Sequence, residues 1–274
     1  MATWRDWLER GATELEQAGA LDARLDCQWM ACDALMTGLS GLRLRLDEPA
    51  EGEARETADR WLRARLSGLP LQYVQNRAHF MGHEFYVDER VLIPRQDTEL
   101  LCECATELIR QRRYGSVLDL CTGSGAVGIS LQLSCPALHV TLADISLDAL
   151  AVARRNAQAL GVAAMFREGD LFAAVAGKRF DLIACNPPYI NDGDMENLQK
   201  EVLREPKLAL HGGVDGLDFY RRIAAQFREM LNPGGALLVE VGYDQATAVA
   251  QMLGTGAFVR RDLGGIERVV GIIL

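Results

Sequence analysis

The tetrapeptide Asn186-Pro187-Pro188-Tyr189 follows the apolar run Phe180-Asp-Leu-Ile-Ala-Cys185 and is the chain's most specific chemical signal. A planar amide or aromatic amino nitrogen is a poor nucleophile because its lone pair is delocalised. The side-chain oxygen of Asn186 and the backbone carbonyl of Pro187 can accept its two N–H bonds and aim the lone pair at an electrophilic methyl. Positive charge growing on the attacking nitrogen is stabilised by the same two dipoles, so no strong base is required beforehand. The prolines fix φ and stiffen the turn, and Tyr189 can stack on the planar group and exclude water.

A second constellation lies upstream. Ser116-Val-Leu-Asp-Leu-Cys-Thr-Gly-Ser-Gly-Ala-Val-Gly128 reads as an apolar strand, a glycine-rich turn and a helix, the place where an open α/β sheet takes a nucleotide-like ligand. Gly123-x-Gly125-x-x-Gly128 also fits the dinucleotide fingerprint, so this loop alone is shared with NAD enzymes. Asp144, 21 residues after Gly123, ends the next strand and could take both hydroxyls of a ribose. Asp170 ends the third strand, where an acid or neighbouring backbone could read an adenine edge. Asp119 stands where the D-x-G-x-G-x-G motif of S-adenosylmethionine-dependent methyltransferases has its acid, and could favour a cationic methionine portion. The first glycine of that motif is Cys121 here.

The elements that must position these residues follow from periodicity. Residues 1–75 read as a small bundle of three to five helices, with Trp4, Trp7, Leu8 and Leu15, then Leu25, Trp29 and Leu35, near helical spacing. Residues 76–93 alternate aromatic and β-branched positions and predict a β-hairpin linker, with Gly82 and Asp88-Glu89 as turn candidates. Residues 94–274 alternate helix and strand, which implies right-handed crossovers and a mostly parallel sheet. Helices are expected at 96–112, 125–134, 147–160, 216–231 and 244–253, with a loop over 186–213. Strands are expected at 116–121, 138–143, 163–168, 180–185 and 235–241, followed by a closing antiparallel pair at 257–262 and 267–273.

Composition narrows the field. The net charge of −9 argues against a general polyanion binder. No apolar run reaches the roughly 20 residues needed to span a bilayer. Asp6, Glu9, Glu14 and Glu16 interrupt the beginning of the chain, which lacks a signal-peptide pattern, so a cytoplasmic protein is expected. Seven scattered cysteines suit buried thiols in a reducing compartment, and neither they nor His79 and His83 have metal-ligand spacing, so no metal is expected.

Further segments complete a pattern: Gly68-Leu-Pro-Leu-Gln-Tyr73, Phe80-Met-Gly82, Leu92-Ile-Pro-Arg-Gln-Asp-Thr-Glu99, Glu205-Pro-Lys-Leu-Ala-Leu210, Gly213-Val-Asp-Gly-Leu217 and Glu267-Arg-Val-Val270. With the two loops above, these resemble the HemK/PrmC family, the protein-(glutamine-N5) methyltransferases of peptide chain release factors. The resemblance spans the chain, most strongly from residue 68 onward. It implies an α/β fold: a seven-stranded Rossmann-like class I methyltransferase domain, a β-hairpin linker and a small N-terminal helical-bundle domain for substrate docking. It implies S-adenosylmethionine as methyl donor, with S-adenosylhomocysteine as product. The acceptor would be the glutamine of the Gly-Gly-Gln motif in class I release factors, and the enzyme a monomer with no membrane or direct nucleic-acid requirement. Carried onto this sequence, cofactor contacts fall on Cys121, Thr122, Gly123, Ser124, Gly125, Asp144, Asp170, Leu171 and Asn186. Catalysis falls on Asn186, Pro187 and Tyr189, and substrate binding on these with Pro188 and Arg95. Arg95 has an alternative role as an ion-pair partner of Asp97 or Glu99.

Three other readings share parts of the pattern. An adenine-N6 methyltransferase on RNA or DNA uses the same tetrapeptide but calls for a basic groove. A non-catalytic adaptor would bind the ligand without needing the acceptor geometry of Asn186. An NAD oxidoreductase would explain the glycine loop alone.

Overall fold

The computed structural model describes residues 2–274, and the chain divides into two units. The smaller comprises the chain through Asn76 together with Lys200–Arg204. Its helices are Trp4–Ala18, Ala23–Ala34, Leu39–Leu44, Gly52–Leu66 and Leu71–Gln75. Thr3 caps the first: its side chain accepts from the Asp6 N–H while the Asp6 carboxylate accepts from the Thr3 N–H at 2.7 Å. Trp4, Trp7, Leu15, Cys27, Met30 and Leu62 form the buried centre. Gly11 permits close helix packing there, since a Cβ would stand 3.0 Å from Cys27 Sγ.

Buried Arg65 carries the one unexpected feature of this unit. Its Nε and Nη2 donate to Asp26 Oδ2 at 2.9 and 2.5 Å, Nη1 to the Leu69 carbonyl at 2.7 Å, and Nη2 also to Glu201 Oε1 at 2.8 Å. A buried guanidinium needs such partners to offset its desolvation. They fasten a segment from late in the chain onto the helices.

The larger unit opens with the expected hairpin, in shorter form. β1 (Ala78–Phe80) and β2 (His83–Phe85) pair antiparallel, and residues 86–93 form no strand. Met81 at φ +50° and Gly82 at φ +75° make a two-residue turn whose left-handed backbone matches the strand twist. The hairpin clusters with the larger unit.

The strands of the main sheet are β3 (Ser116–Leu120), β4 (His139–Asp144), β5 (Ala164–Glu168), β6 (Phe180–Cys185), β7 (Leu231–Glu240), β8 (Phe258–Arg261) and β9 (Glu267–Ile273). They lie in the order β5-β4-β3-β6-β7-β9-β8. β3 to β7 are parallel, and β9 runs antiparallel between β7 and β8. The main sheet starts at β3, winds outward to β5 and returns to β6, so the strand order reverses between β3 and β6. An open α/β sheet binds its ligand at the carboxyl ends of the strands flanking such a reversal.

Alternate residues of the central strands face two separate cores. Val117, Val140 and Leu182 pack with the helices Gln96–Arg112, Ala126–Ser134 and Leu147–Ala159. Leu118, Ile183 and Leu237 pack with Asp218–Gln226 and Ala246–Leu253. Burial on both faces explains why these strands read as continuous apolar runs. Two boundaries differ from the sequence reading. The helix expected over 216–231 becomes a 3-10 turn at Phe227–Met230, and β7 starts at Leu231 instead of 235. Leu231 already pairs with Phe180, and a register shift before Leu182 absorbs Asn232-Pro233-Gly234, so the breaker residues bulge the strand without preceding it. The expected loop over 186–213 contains the short helices Asp192–Met195 and Lys207–Leu210.

Candidate active site

The turn after β3 uses left-handed backbone at Cys121 (φ +59°), Gly123 (φ +54°) and Gly125 (φ +83°). A Cβ at Gly125 would stand 2.7 Å from Ile129 Cδ1, so sterics add to the conformational demand. Cys121 adopts a backbone that costs a non-glycine residue about 1 kcal/mol, where the motif has glycine.

Asp119 braces the glycine turn. It is buried to 1% exposure and does not line the cavity. Its Oδ2 accepts from Thr122 Oγ1 at 2.5 Å and from the Gly128 N–H at 2.9 Å, which clamps both ends of the glycine turn. Burial pushes its carboxyl up to about 7 against the lowering effect of those bonds. Asp119 thus holds the shape of the loop whose Cys121 and Gly123 line the cavity.

A cavity of about 290 Å³ opens at the strand ends. Of the expected residues, Cys121, Gly123, Asp144, Asp170, Leu171, Asn186 and Pro188 line it. Thr122 and Ser124 are buried outside the lining, and Gly125, Pro187, Tyr189 and Arg95 also stand off the wall. Asp144 Oδ2 accepts from the Gly123 N–H at 2.9 Å and Oδ1 from the Ser146 N–H at 2.9 Å. Burial raises its carboxyl, and these amides partly oppose that. Each oxygen keeps a lone pair with which to accept from a diol. Asp170 is half exposed and paired with Arg222 at 2.6 Å. Leu171, at φ +49°, supplies aliphatic wall.

At the end of β6, Asn186 Nδ2 donates to Thr98 Oγ1 at 3.1 Å. The following turn is pinned from outside. The Tyr189 carbonyl accepts from Gln245 Nε2 at 2.9 Å, and Gln245 Oε1 accepts from the Gly242 N–H at 3.0 Å. Gly216 has no room for a side chain, because a Cβ would lie 2.3 Å from the Tyr189 oxygen. Burial pushes the Tyr189 phenol upward, so it stays neutral.

Arg95 pairs with neither Asp97 nor Glu99. The helix Gln96–Arg112 begins directly after it and carries those acids elsewhere: Asp97 to Arg268 at 2.8 Å, Glu99 to the Met81 N–H at 2.6 Å. Arg95 pairs instead with Glu205 Oε1, whose companion oxygen accepts from the Ile93 N–H at 3.0 Å. Thr98, Gln245 and Glu205 were not singled out in the sequence as site residues. Thr98 and Glu205 lay inside family segments, while Gln245 carried no signal.

Among the described residues no cluster of three or more His, Cys, Asp or Glu side chains could hold a metal ion, and no helix is long and apolar enough to cross a membrane. The cavity fits an adenosyl ligand on its own chemistry. Gly123 lines it where a Cβ would meet no protein atom and so would stand in ligand space. Asp144 offers diol acceptors, and Leu171 and Pro188 offer apolar surface.

Sheet order, glycine turn and cavity together define a class I S-adenosylmethionine-dependent methyltransferase. A Thermus thermophilus 16S rRNA methyltransferase in complex with AdoMet and guanosine shares the fold, with TM-score 0.54 and 18% identity over 72% of this chain and 49% of that one. A PrmC N-terminal domain matches residues 6–74 and a methyltransferase small domain residues 96–216. The release factor glutamine methyltransferase of Geobacter sulfurreducens is 42% identical over 262 residues, 94% of this chain and 92% of its own. That of Bordetella pertussis is 42% identical over 254 residues, 90% of this chain and 94% of its own. The chain belongs to the release factor glutamine methyltransferase family.

Proposed function

We propose that this enzyme methylates the side-chain amide nitrogen (N5) of the glutamine in the Gly-Gly-Gln motif of class I peptide chain release factors, working as a monomer in the cytoplasm. Bound S-adenosylmethionine supplies an electrophilic sulfonium methyl. The observation that carries the reading is the orientation of Asn186: with Nδ2 given to Thr98, Oδ1 is left to accept from an incoming amide. The Pro187 carbonyl takes the second N–H, and the lone pair then points along the line of transfer. The N–CH3 bond forms as the S–CH3 bond breaks, sulfur keeps that electron pair, and the nitrogen afterwards releases a proton to water. Gly123 and Asp144 hold the nucleoside, Leu171 and Pro188 exclude water, and Tyr189, set back from the cavity wall, is left to cover the planar group where the acceptor enters. The helical unit supplies surface for the factor beyond its one glutamine.

The test is mass spectrometry of a purified class I release factor incubated with enzyme and S-adenosylmethionine. One added methyl on the Gly-Gly-Gln glutamine is expected, with at least about a hundredfold slower transfer by Asn186→Ala. An unmodified factor beside newly methylated adenine in RNA or DNA would replace this reading with the adenine-N6 one.

A further inference from the structure

We propose that Glu240 is a positioning residue which, through Thr98, fixes the end of the Asn186 amide that meets the acceptor nitrogen. The inference rests on the reading that Asn186 Oδ1 accepts from the substrate. Val239 pairs with Cys185 across the parallel strands, so Glu240 and Asn186 leave the sheet edge side by side. Glu240 is 2% exposed, and its Oε2 is buried with no hydrogen-bond partner. The polar groups against its carboxyl are the Thr98 hydroxyl and the Asn186 amide. Asp97 and Arg268 are the charged groups that act on it from the Gln96–Arg112 helix and β9. The Tyr189 phenol and the Cys102 thiol also feel its charge, and Tyr220 Oη binds its backbone carbonyl at 2.8 Å.

A hydroxyl has one proton to give, and a carboxylate can only accept. Ionised Glu240 therefore draws the Thr98 proton, which leaves Thr98 Oγ1 to accept from Asn186 Nδ2, the 3.1 Å contact observed, and its direct pull on the same NH2 group works in the same sense. Oδ1 is then turned free for the substrate. A protonated Glu240 can donate to Thr98, whose own proton then goes to Asn186 Oδ1. The chain of bonds reverses and the acceptor is lost. Burial pushes Glu240 up to about 7, so the reversal falls within an accessible pH range.

The experiment is the pH profile of kcat for release-factor methylation, with S-adenosylmethionine binding measured alongside. The wild type should lose rate as pH falls below about 7. Glu240→Gln donates and accepts at any pH, so it should lack that acid limb and run at least about threefold below the wild-type plateau, with S-adenosylmethionine affinity held within about threefold. Thr98→Val should give a similarly flat profile, roughly tenfold lower, and Thr98→Ser should recover most of the rate and the acid limb. An acid limb and full plateau retained in Glu240→Gln would overturn the proposal, and should that variant not fold, the same result in Thr98→Val would do so. Wild-type turnover by Asn186→Ala would instead overturn the underlying acceptor reading, and Glu240's role with it.

Discussion

The Gly123 N–H donates to Asp144 Oδ2 at 2.9 Å, so the acid ending β4 holds the glycine turn that follows β3. Asp144 therefore braces the turn, and in the proposed function it also offers lone pairs to the ribose. Asp144→Asn keeps one acceptor oxygen where the carboxylate uses two, and sets an NH2 against a backbone N–H. Its S-adenosylmethionine Kd should rise at least about tenfold, or ~1.4 kcal/mol, by calorimetry. Because burial raises the Asp144 pKa, wild-type affinity should also weaken as pH falls through that raised value, while the Asn variant stays flat.

Asp119 makes a prediction about stability instead of binding. Its folded pKa is raised from 3.8 to about 7. Below 3.8 both folded and unfolded chains hold the proton and Asp119 adds no pH dependence; between 3.8 and 7 the folded chain alone holds it. The unfolded state then binds fewer protons, and stability falls as pH rises across that window. Both donors converge on Oδ2, so Asp119→Asn can keep both bonds through its single oxygen. The Asn variant should have a flatter Tm profile between pH 5 and 8 and, at pH 7.5, a Tm at or above wild type. A Tm well below wild type at pH 7.5 would show that the carboxylate's charge is needed.

The Arg95–Glu205 pair ties the segment before the Gln96–Arg112 helix to Glu205-Pro206, where Pro206 lines the cavity. The Glu205 side chain is 1% exposed, so Arg95→Ala leaves a buried carboxylate with only the Ile93 N–H. Urea unfolding should show a loss of about 2–4 kcal/mol. The double variant Arg95→Ala/Glu205→Gln should recover part of it, because a neutral amide still accepts from Ile93 and costs less to bury.

How much of this was legible in the sequence follows from how local each signal was. The β3 strand, its glycine turn and the helix beyond were readable because one continuous segment encodes strand, turn and helix. Asn186 was readable as a residue of the cavity because the two prolines mark a stiff turn directly after an apolar strand. Partners set by the fold were not. Arg95 could meet Asp97, Glu99 or Glu205 as far as charge is concerned, and only the helix start at Gln96 excludes the near pair. The motif places an acid at Asp119, but the partners its side chain takes, Thr122 and Gly128, are set by the folded turn and could not be read. Fastening Lys200–Arg204 to the helical unit required a buried Arg65 with a partner 136 residues away, which no periodicity reveals.

The helical unit carries apolar side chains that its own core does not take up. Leu21 is 79%, Leu25 45%, Trp29 39% and Met36 93% exposed, while Cys27, Met30 and Ala31 of the same helix region are buried. Leu25 and Trp29 stand four residues apart on the Ala23–Ala34 helix and so share a face. If that face is the docking surface for the release factor, the energy it supplies is available only to a substrate large enough to reach it. Leu25→Ser/Trp29→Ser should then raise KM for the whole factor about tenfold, as loss of an aromatic anchor does. KM for a short Gly-Gly-Gln peptide should stay the same, since the peptide touches only the cavity. kcat should be common to both enzymes, because the acceptor geometry around Asn186 is untouched. Steady-state assays with the two substrates in parallel read this directly. Equal KM changes for factor and peptide would mean that the substitutions act by perturbing the enzyme itself, and would remove the face from recognition.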